Sequence, residues 1–258
     1  MRFASLGSGS EGNALVVEAV RTRIMLDCGF PARETVQRLA RAGVEPSALS
    51  GIIVTHEHGD HGDGVFPLAR RLGVPVWLTH GTLAALREAG GGVADECSFE
   101  LIDSQRAFSV GDLMVQPFTV PHDAREPVQF VLSDGARRLG VLTDTGRSTN
   151  CIESHLSGCD ALVLECNYDS TMLARGPYPQ ALKARIASRL GHLDNECSAA
   201  LLSRLDRSRL KHVIAAHLSA TNNTPQLARA ALAGALGCGP EWITVATQDQ
   251  GFGWRDLG

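Results

Sequence analysis

Residues 55–64 read THEHGDHGDG, which crowds His56, His58, Asp60 and His61 into six positions directly after the apolar run GIIV. Imidazole and carboxylate side chains are metal ligands, and without thiolate partners they suit Zn, Mn or Fe. An extended segment projects residues i and i+2 to one side, so His56 and His58 can reach one cation together. A turn after Gly59 lets Asp60 and His61 address a second position nearby. Four ligands do not complete two sites, and the remaining donors should stand at other strand ends, where the polar residues of α/β proteins assemble. Three do: His122 in FTVPHDA, Asp144 in GVLTDTG and His217 in VIAAHLSATNN. His56, His58 and His122 would form a tris-imidazole site, and Asp60, His61 and His217 a second, with Asp144 between them. Two divalent cations about 3.5–4 Å apart could hold a hydroxide and clamp a phosphoryl or carbonyl oxygen. Zn is the first expectation, with Mn or Fe also suited.

The elements that must position these residues can be read from periodicity and turn chemistry. RFASL, ALVVEA and RIMLDCG are short strand-like runs, and PARETVQRLARAG is a helix with Pro at its start and Gly at its end. GIIVTHEH is a buried strand, DGVFPLARRLG leads into a helix, PVWLTH is a strand, and GTLAALREAGGG is a helix closed by glycines. The middle is strand-rich, with FELID, RAFSV, LMVQPFTVPH, VQFVLSD and RRLGVLTDTG separated by turns. Helix and strand then alternate through CIESHLSG, CDALVLECN, YPQALKARIASRLG, ECSAALLSRLD, LKHVIAAHLS and TPQLARAALAGALG, to WITVATQ as a final strand. No long linker or low-complexity tract interrupts this pattern. It predicts an α/β chain, residues 1–258 as one domain, with two sheets face to face and helices on both outsides.

Composition narrows the partners. The chain has 258 residues with a formal charge of −4, so no global basic excess argues for nucleic acid. Residues 181–215 carry seven basic against three acidic residues, a local excess that could engage phosphates or simply be solvated helix faces. The N-terminal stretch lacks the apolar core of a signal peptide, and no apolar run approaches membrane-spanning length. Seven scattered cysteines without a C-x-x-C pair read as reduced thiols. A cytoplasmic protein with no membrane partner is expected; oligomeric state is not legible. Of the other histidines, His80, His155 and His212 are read as packing or surface residues, and His192, in RLGHLDNE, as a substrate-facing one.

THEHGDH matches the H-x-H-x-D-H signature of the metallo-β-lactamase-fold hydrolases, and His122, Asp144 and His217 match the later ligand motifs in order. The resemblance covers nearly the whole chain and implies a four-layer αββα sandwich with metals at one edge between the sheets. LDCG at 26–29 resembles the family's early Asp motif, which makes Asp27 a residue that orients the ligand loop from behind. SLGSGSEGN, LECNYD, GPYPQALKARIASRLGHLDNE and AHLSATNN further resemble the YycJ/WalJ-like branch, whose members look like nucleases, at least some acting on DNA from the 5′ end. Members usually carry Ser where this chain has Asp194.

That resemblance implies a nuclease or phosphodiesterase, with DNA the favoured polymer. In it Asp60 binds metal and orients the hydroxide. His192 contacts a phosphoryl oxygen or protonates the leaving oxygen. Ser8, Ser10, Asn13, Asn195, Ser219, Asn222 and Asn223 contact substrate, the last three beside a helix start, where phosphates bind readily. Fold alone cannot choose the reaction. A β-lactamase should be exported, an RNase J type inserts a domain between the later motifs, and a tRNA-processing enzyme carries a protruding arm; none of these features is read here. Two alternatives stay open: hydrolysis of a small ester or cyclic phosphodiester, and a non-enzymatic, metal-dependent regulatory or partner protein.

Overall fold

The computed structural model describes residues 1–90 and 96–258. Its first sheet has the order β14 (Phe252–Asp256), β1 (Arg2–Gly7), β2 (Ala14–Ala19), β3 (Thr22–Leu26), β4 (Gly51–Ile53), β5 (Val76–Leu78) and β6 (Phe99–Leu101). Its second has the order β13 (Thr244–Val245), β12 (His212–Ala216), β11 (Ala161–Glu165), β10 (Arg138–Leu142), β9 (Val128–Ser133), β8 (Leu113–Thr119) and β7 (Phe108–Val110). Both sheets follow one plan. Within each sheet, consecutive strands with no helix between them pair antiparallel, and strands joined by helical crossovers, β3 to β6 and β10 to β13, pair parallel.

Side-chain alternation along each strand builds three apolar layers. Phe3, Leu15, Val17, Ile24, Leu26 and Ile53 face Val115, Phe130, Leu132, Leu139, Val141, Val163 and Ile214 across the gap between the sheets. The intervening residues of the first sheet, Val16, Met25 and Ile52, pack on Leu39 of α1 (Ala32–Arg41), Leu68 of α3 (Val65–Leu72) and Leu83 of α4 (His80–Gly90). Val131, Leu142, Leu162 and Leu164 of the second pack on α5 (Asn150–Leu156), α8 (Asn195–Arg204) and α9 (Pro225–Leu236). This is the αββα sandwich expected. Because both faces of each sheet are covered, the strands read as near-continuous apolar runs rather than alternating ones. Among the described residues no helix is long and apolar enough to cross a membrane.

The expected elements form, with differences at the C-terminus and around residues 170–194. WITVATQ is not the final strand: β14 follows and closes the first sheet by pairing antiparallel with β1, Arg2 opposite Asp256. Its sequence, FGWRD, carries a glycine and two charges and leaves Gly253 and Asp256 exposed, so pairing rather than hydrophobicity makes it a strand. α6 (Ser170–Arg175) was not anticipated; Asp169 caps it by accepting from Met172 N. The helix expected across residues 178–191 stops at Ile186, as α7 (Gln180–Ile186), and residues 187–194 form a loop. Gly91 and Gly92, expected to close the fourth helix, lie outside the described residues. Asp194, where Ser is usual, caps α8 through a 2.6 Å bond from Cys197 N.

Arg38 ties this frame together. It is 9% exposed, lies over the Phe30 ring, and donates to the carbonyls of Leu6, Gln248 and Asp249 as well as to Glu34. Arg38→Met would keep the packing but strand those carbonyls; it is expected to cost about 3 kcal/mol, read as a lower urea midpoint at unchanged slope.

Candidate metal centre and cleft

The chain leaves the two sheets at one shared edge, and the donors stand there. Asp27 follows β3, His56 and His58 follow β4, His122 follows β8, Asp144 follows β10, Glu165 ends β11, and His217 follows β12. Asp60 and His61 lie in α2 (Gly59–Gly62), one helical turn where the sequence suggested only a bend. Apart from Val20, the non-glycine residues at positive φ among those described are Asp27 (60°), Asp144 (54°) and His217 (56°). Left-handed backbone costs a side-chain-bearing residue about 1–3 kcal/mol, and it persists where surrounding structure over-determines it.

Four of the imidazoles are fixed by where their protons go. Thr55 Oγ1 donates to the Asp27 carboxylate and accepts from His56 Nδ1 at 2.9 Å, so His56 Nε2 is left bare, buried and without a hydrogen-bond partner. His58 Nε2 donates to the Asp123 carbonyl at 3.2 Å, freeing Nδ1. His122 Nδ1 donates to the Gly191 carbonyl at 3.1 Å, freeing Nε2, which sits 3.2 Å from His58 Nδ1. The three ring centroids are 4.7–4.9 Å apart. His61 Nδ1 donates to Asp27 Oδ2 at 2.8 Å; its Nε2 lies 3.3 Å from Asp60 Oδ2, 3.0 Å from Asp144 Oδ2 and 3.4 Å from His217 Nε2. The two groups therefore share an edge at Asp144, whose Oδ1 is 3.4 Å from His217 Nε2 and 3.9 Å from His122 Nε2. An orphaned buried imidazole nitrogen and lone pairs aimed at common points fit divalent cations: His56, His58 and His122 could hold one, and Asp60, His61 and His217 another.

Electrostatics separate the two groups. Burial and the neighbouring His61 hold His56 well below the usual histidine range, and burial also lowers His122. Burial acts the same way on His61 and His217, but Asp144 and Asp60 outweigh it and raise both. Burial opposes the charge on Asp60 and Asp144, yet the facing histidines hold both carboxyls low.

The residues expected to contact substrate divide. Ser10 lines the cleft, with Gly59, Asp60 and His192. Ser8 and Asn13 instead brace the centre from behind: His217 N donates to Ser8 Oγ, Ser8 donates to Asn13 Oδ1, and Asn13 Nδ2 reaches Asp60 Oδ2 at 3.2 Å. Asn195 and Asn223 pair their buried amides with each other at 2.9 Å, and Asn223 also donates to the Cys166 carbonyl. Ser219 Oγ accepts from Asn222 N, and both residues are buried in the loop ahead of α9. His155 bonds within its own helix and stacks on Phe118, and His212 donates to the Asp256 carbonyl, as packing residues do.

Glu165 was missed. It is fully buried, accepts from Thr145 N and Leu193 N on Oε2, and takes His192 Nδ1 on Oε1 at 2.7 Å. Burial opposes the charge on His192, but Glu165 prevails and raises its pKa to about 9. The signals were its place in the family-like stretch LECNYD and an acidic residue ending the apolar run ALVLE, where a strand buried on both faces admits a carboxylate only with partners.

The family model of the beta-lactamase superfamily domain matches residues 22–217. The chain thus belongs to the metallo-β-lactamase-fold superfamily, which the sandwich and its edge cluster also define. Within it the chain falls in the YycJ/WalJ branch. It is 33% identical to Exodeoxyribonuclease YycJ of Bacillus anthracis over 98% of this chain and 91% of the relative. It is 32% identical to Exodeoxyribonuclease WalJ of Streptococcus pneumoniae over 88% and 85%. The crystal structure of the metallo-β-lactamase-fold protein YhfI from Bacillus subtilis superposes with a TM-score of 0.76 at 13% identity, covering 99% of both chains, a likeness of fold.

Two outcomes follow from the geometry. A histidine must shed its proton to bind metal. His61 and His217, raised, still hold protons at pH values where His56 and His122 are already neutral. Zn titrated into metal-free protein should therefore fill the His56, His58 and His122 site at lower pH than the Asp60, His61 and His217 site, with the second equivalent releasing more protons; calorimetry in buffers of differing ionisation enthalpy measures this. Gly29 packs so closely that an added Cβ would sit 1.8 Å from the Asp60 carbonyl oxygen. Gly29→Ala should displace α2 and lower bound metal, read by elemental analysis of the purified protein.

Proposed function

We propose that the protein is a metal-dependent nuclease that hydrolyses phosphodiester bonds at DNA ends. The observation that carries this reading is the pairing of two convergent donor sets with His192, held by Glu165 and stacked beside His217, in one open cleft. The exodeoxyribonuclease names of the two relatives support DNA as the polymer.

Two divalent cations, Zn first, would be held by His56, His58 and His122 and by Asp60, His61 and His217, with Asp144 between; when bound they acidify water and offset charge on phosphoryl oxygens. The chain's own residues do the rest. Asp60, braced by Asn13, presents a carboxylate that orients the attacking water and takes its proton. His192 gives Nδ1–H to Glu165, so its Nε2 serves the cleft. Carrying a proton at neutral pH, it donates that proton to the leaving oxygen. Ser10 contacts the substrate backbone at the rim. Ser8, Asn13, Asn195 and Asn223 position ligands and loops. None of the seven cysteines is in a disulfide, which supports a reducing, cytoplasmic setting.

The test is a time course of metal-analysed protein on 5′-phosphorylated duplex DNA, single-stranded DNA and RNA, with His58→Ala as the blank. Stepwise loss of nucleotides from the 5′ end is expected, absent in the blank. Turnover of a small ester or bis-p-nitrophenyl phosphate with no polymer cleaved would favour a small-molecule hydrolase. His192→Ala should lower kcat by about 10²–10⁴ with metal content retained; loss of metal instead would make His192 a ligand.

A further inference from the structure

Of the five imidazoles in the two donor sets, four send the proton of their distal nitrogen to an oxygen, and His217 does not. Its Nδ1 lies 3.1 Å from Asn167 Nδ2, and the same amide nitrogen donates to the His217 carbonyl at 3.0 Å. That carbonyl settles which way the amide points. Turned over, the amide would set its own oxygen against another oxygen at the same distance, with no hydrogen between them. Asn167 therefore gives both amide hydrogens to His217, one to the carbonyl oxygen and one to Nδ1. A ring nitrogen that accepts carries no proton. The proton of the neutral His217 ring thus sits on Nε2, where Asp60 Oδ2 accepts it at 3.1 Å.

Asn167 is itself fixed in place. It stands two residues beyond β11 and is 4% exposed. Its N donates to the Leu193 carbonyl at 3.0 Å, and its carbonyl accepts from Ser219 N at 2.8 Å. With Ser8 Oγ, which accepts from His217 N, its amide brackets a residue whose backbone lies in the left-handed region at φ 56°. Such backbone persists where the surroundings over-determine it. One side chain thereby sets both the backbone and the ring of His217.

This arrangement has a consequence for cation binding. To ligate through Nε2, a neutral imidazole must carry its proton on Nδ1 and needs an acceptor there. Asn167 offers a donor instead. Glu165 Oε1 is 4.0 Å from that nitrogen, beyond hydrogen-bond reach, and already holds His192 Nδ1 at 2.7 Å. The position among Asp60, His61 and His217 is closed by a hydrogen bond between two of its own donors. We propose that Asn167 is the positioning residue of this donor set: it clamps His217 in the Nε2–H form, so that the set binds a cation more weakly than His56, His58 and His122 do and fills after them. The inference rests on the two donor sets and not on the nuclease reading.

The first test needs no variant. Long-range proton–nitrogen NMR correlations on metal-free protein with labelled histidine separate bare from protonated ring nitrogens. At alkaline pH His217 should show a bare Nδ1 and a protonated Nε2, and His56, His61 and His122 the reverse. The second test measures Zn affinity at each site by chelator competition in the native protein, Asn167→Asp and Asn167→Ala. Asn167→Asp puts an acceptor where the donor was. It should move the His217 proton to Nδ1 and tighten the weaker site by at least about tenfold, the scale of one hydrogen bond to a charged group. Asn167→Ala should weaken that site by loosening the His217 backbone. An unchanged affinity of the stronger site shows that each variant keeps its fold. A native ring with its proton on Nδ1, two native sites of equal affinity, or equal weakening by Asp and Ala would overturn the proposal. Neither readout involves a substrate, so the nuclease reading stands or falls separately.

Discussion

A neutral imidazole carries one proton, and in this fold the placement of that proton decides everything at the sheet edge. A histidine can aim a lone pair at a cation only if its other nitrogen has somewhere to donate. Thr55, the carbonyls of Asp123 and Gly191, and Asp27 are those acceptors for His56, His58, His122 and His61. Asp27 is the most connected of them, taking Thr55 N, Thr55 Oγ1 and His61 Nδ1 on two buried oxygens. It reaches them only because its backbone turns into the left-handed region at the end of β3. The sandwich is the rigid body against which that strain is held.

The same requirement explains the loops. Residues 8–13 run behind the centre, where Ser8 and Asn13 link the His217 backbone to the Asp60 carboxylate. The loop after α7 supplies the Gly191 carbonyl to His122, and its Leu190 carbonyl takes the amide of Asp123. The cleft wall and the ligand shell are thus one hydrogen-bonded unit.

Charge is organised on the same scale. Aspartates and imidazoles lie within a few ångströms of one another, and their mutual fields and burial lower the pKa of His56 while raising those of His61 and His217. Glu165 extends this pattern one layer deeper, as a buried anion whose partners are two backbone amides and His192. A buried carboxylate with that set is a means of keeping one imidazole oriented and charged.

The candidate donor set and the sandwich were legible in the sequence because both follow from local rules. Strand periodicity of two, helix punctuation by Pro and Gly, and polar residues immediately after apolar runs are properties of short segments. His56, His58, Asp60, His61, His122, Asp144 and His217 each announce themselves that way, and the structure brings them together. What only the tertiary structure decided is which side chains face one another. Asn195 and Asn223, 28 residues apart, spend their amides on each other. Arg185 meets Asp123 across 62 residues. Glu165 finds His192 from the end of a strand whose sequence reads as plain core. β14 becomes a strand because β1 offers it an open edge. Hydrogen bonds and ion pairs between distant segments depend on the relative placement of sheets and loops to a fraction of an ångström, and no periodicity or spacing along the chain encodes that placement.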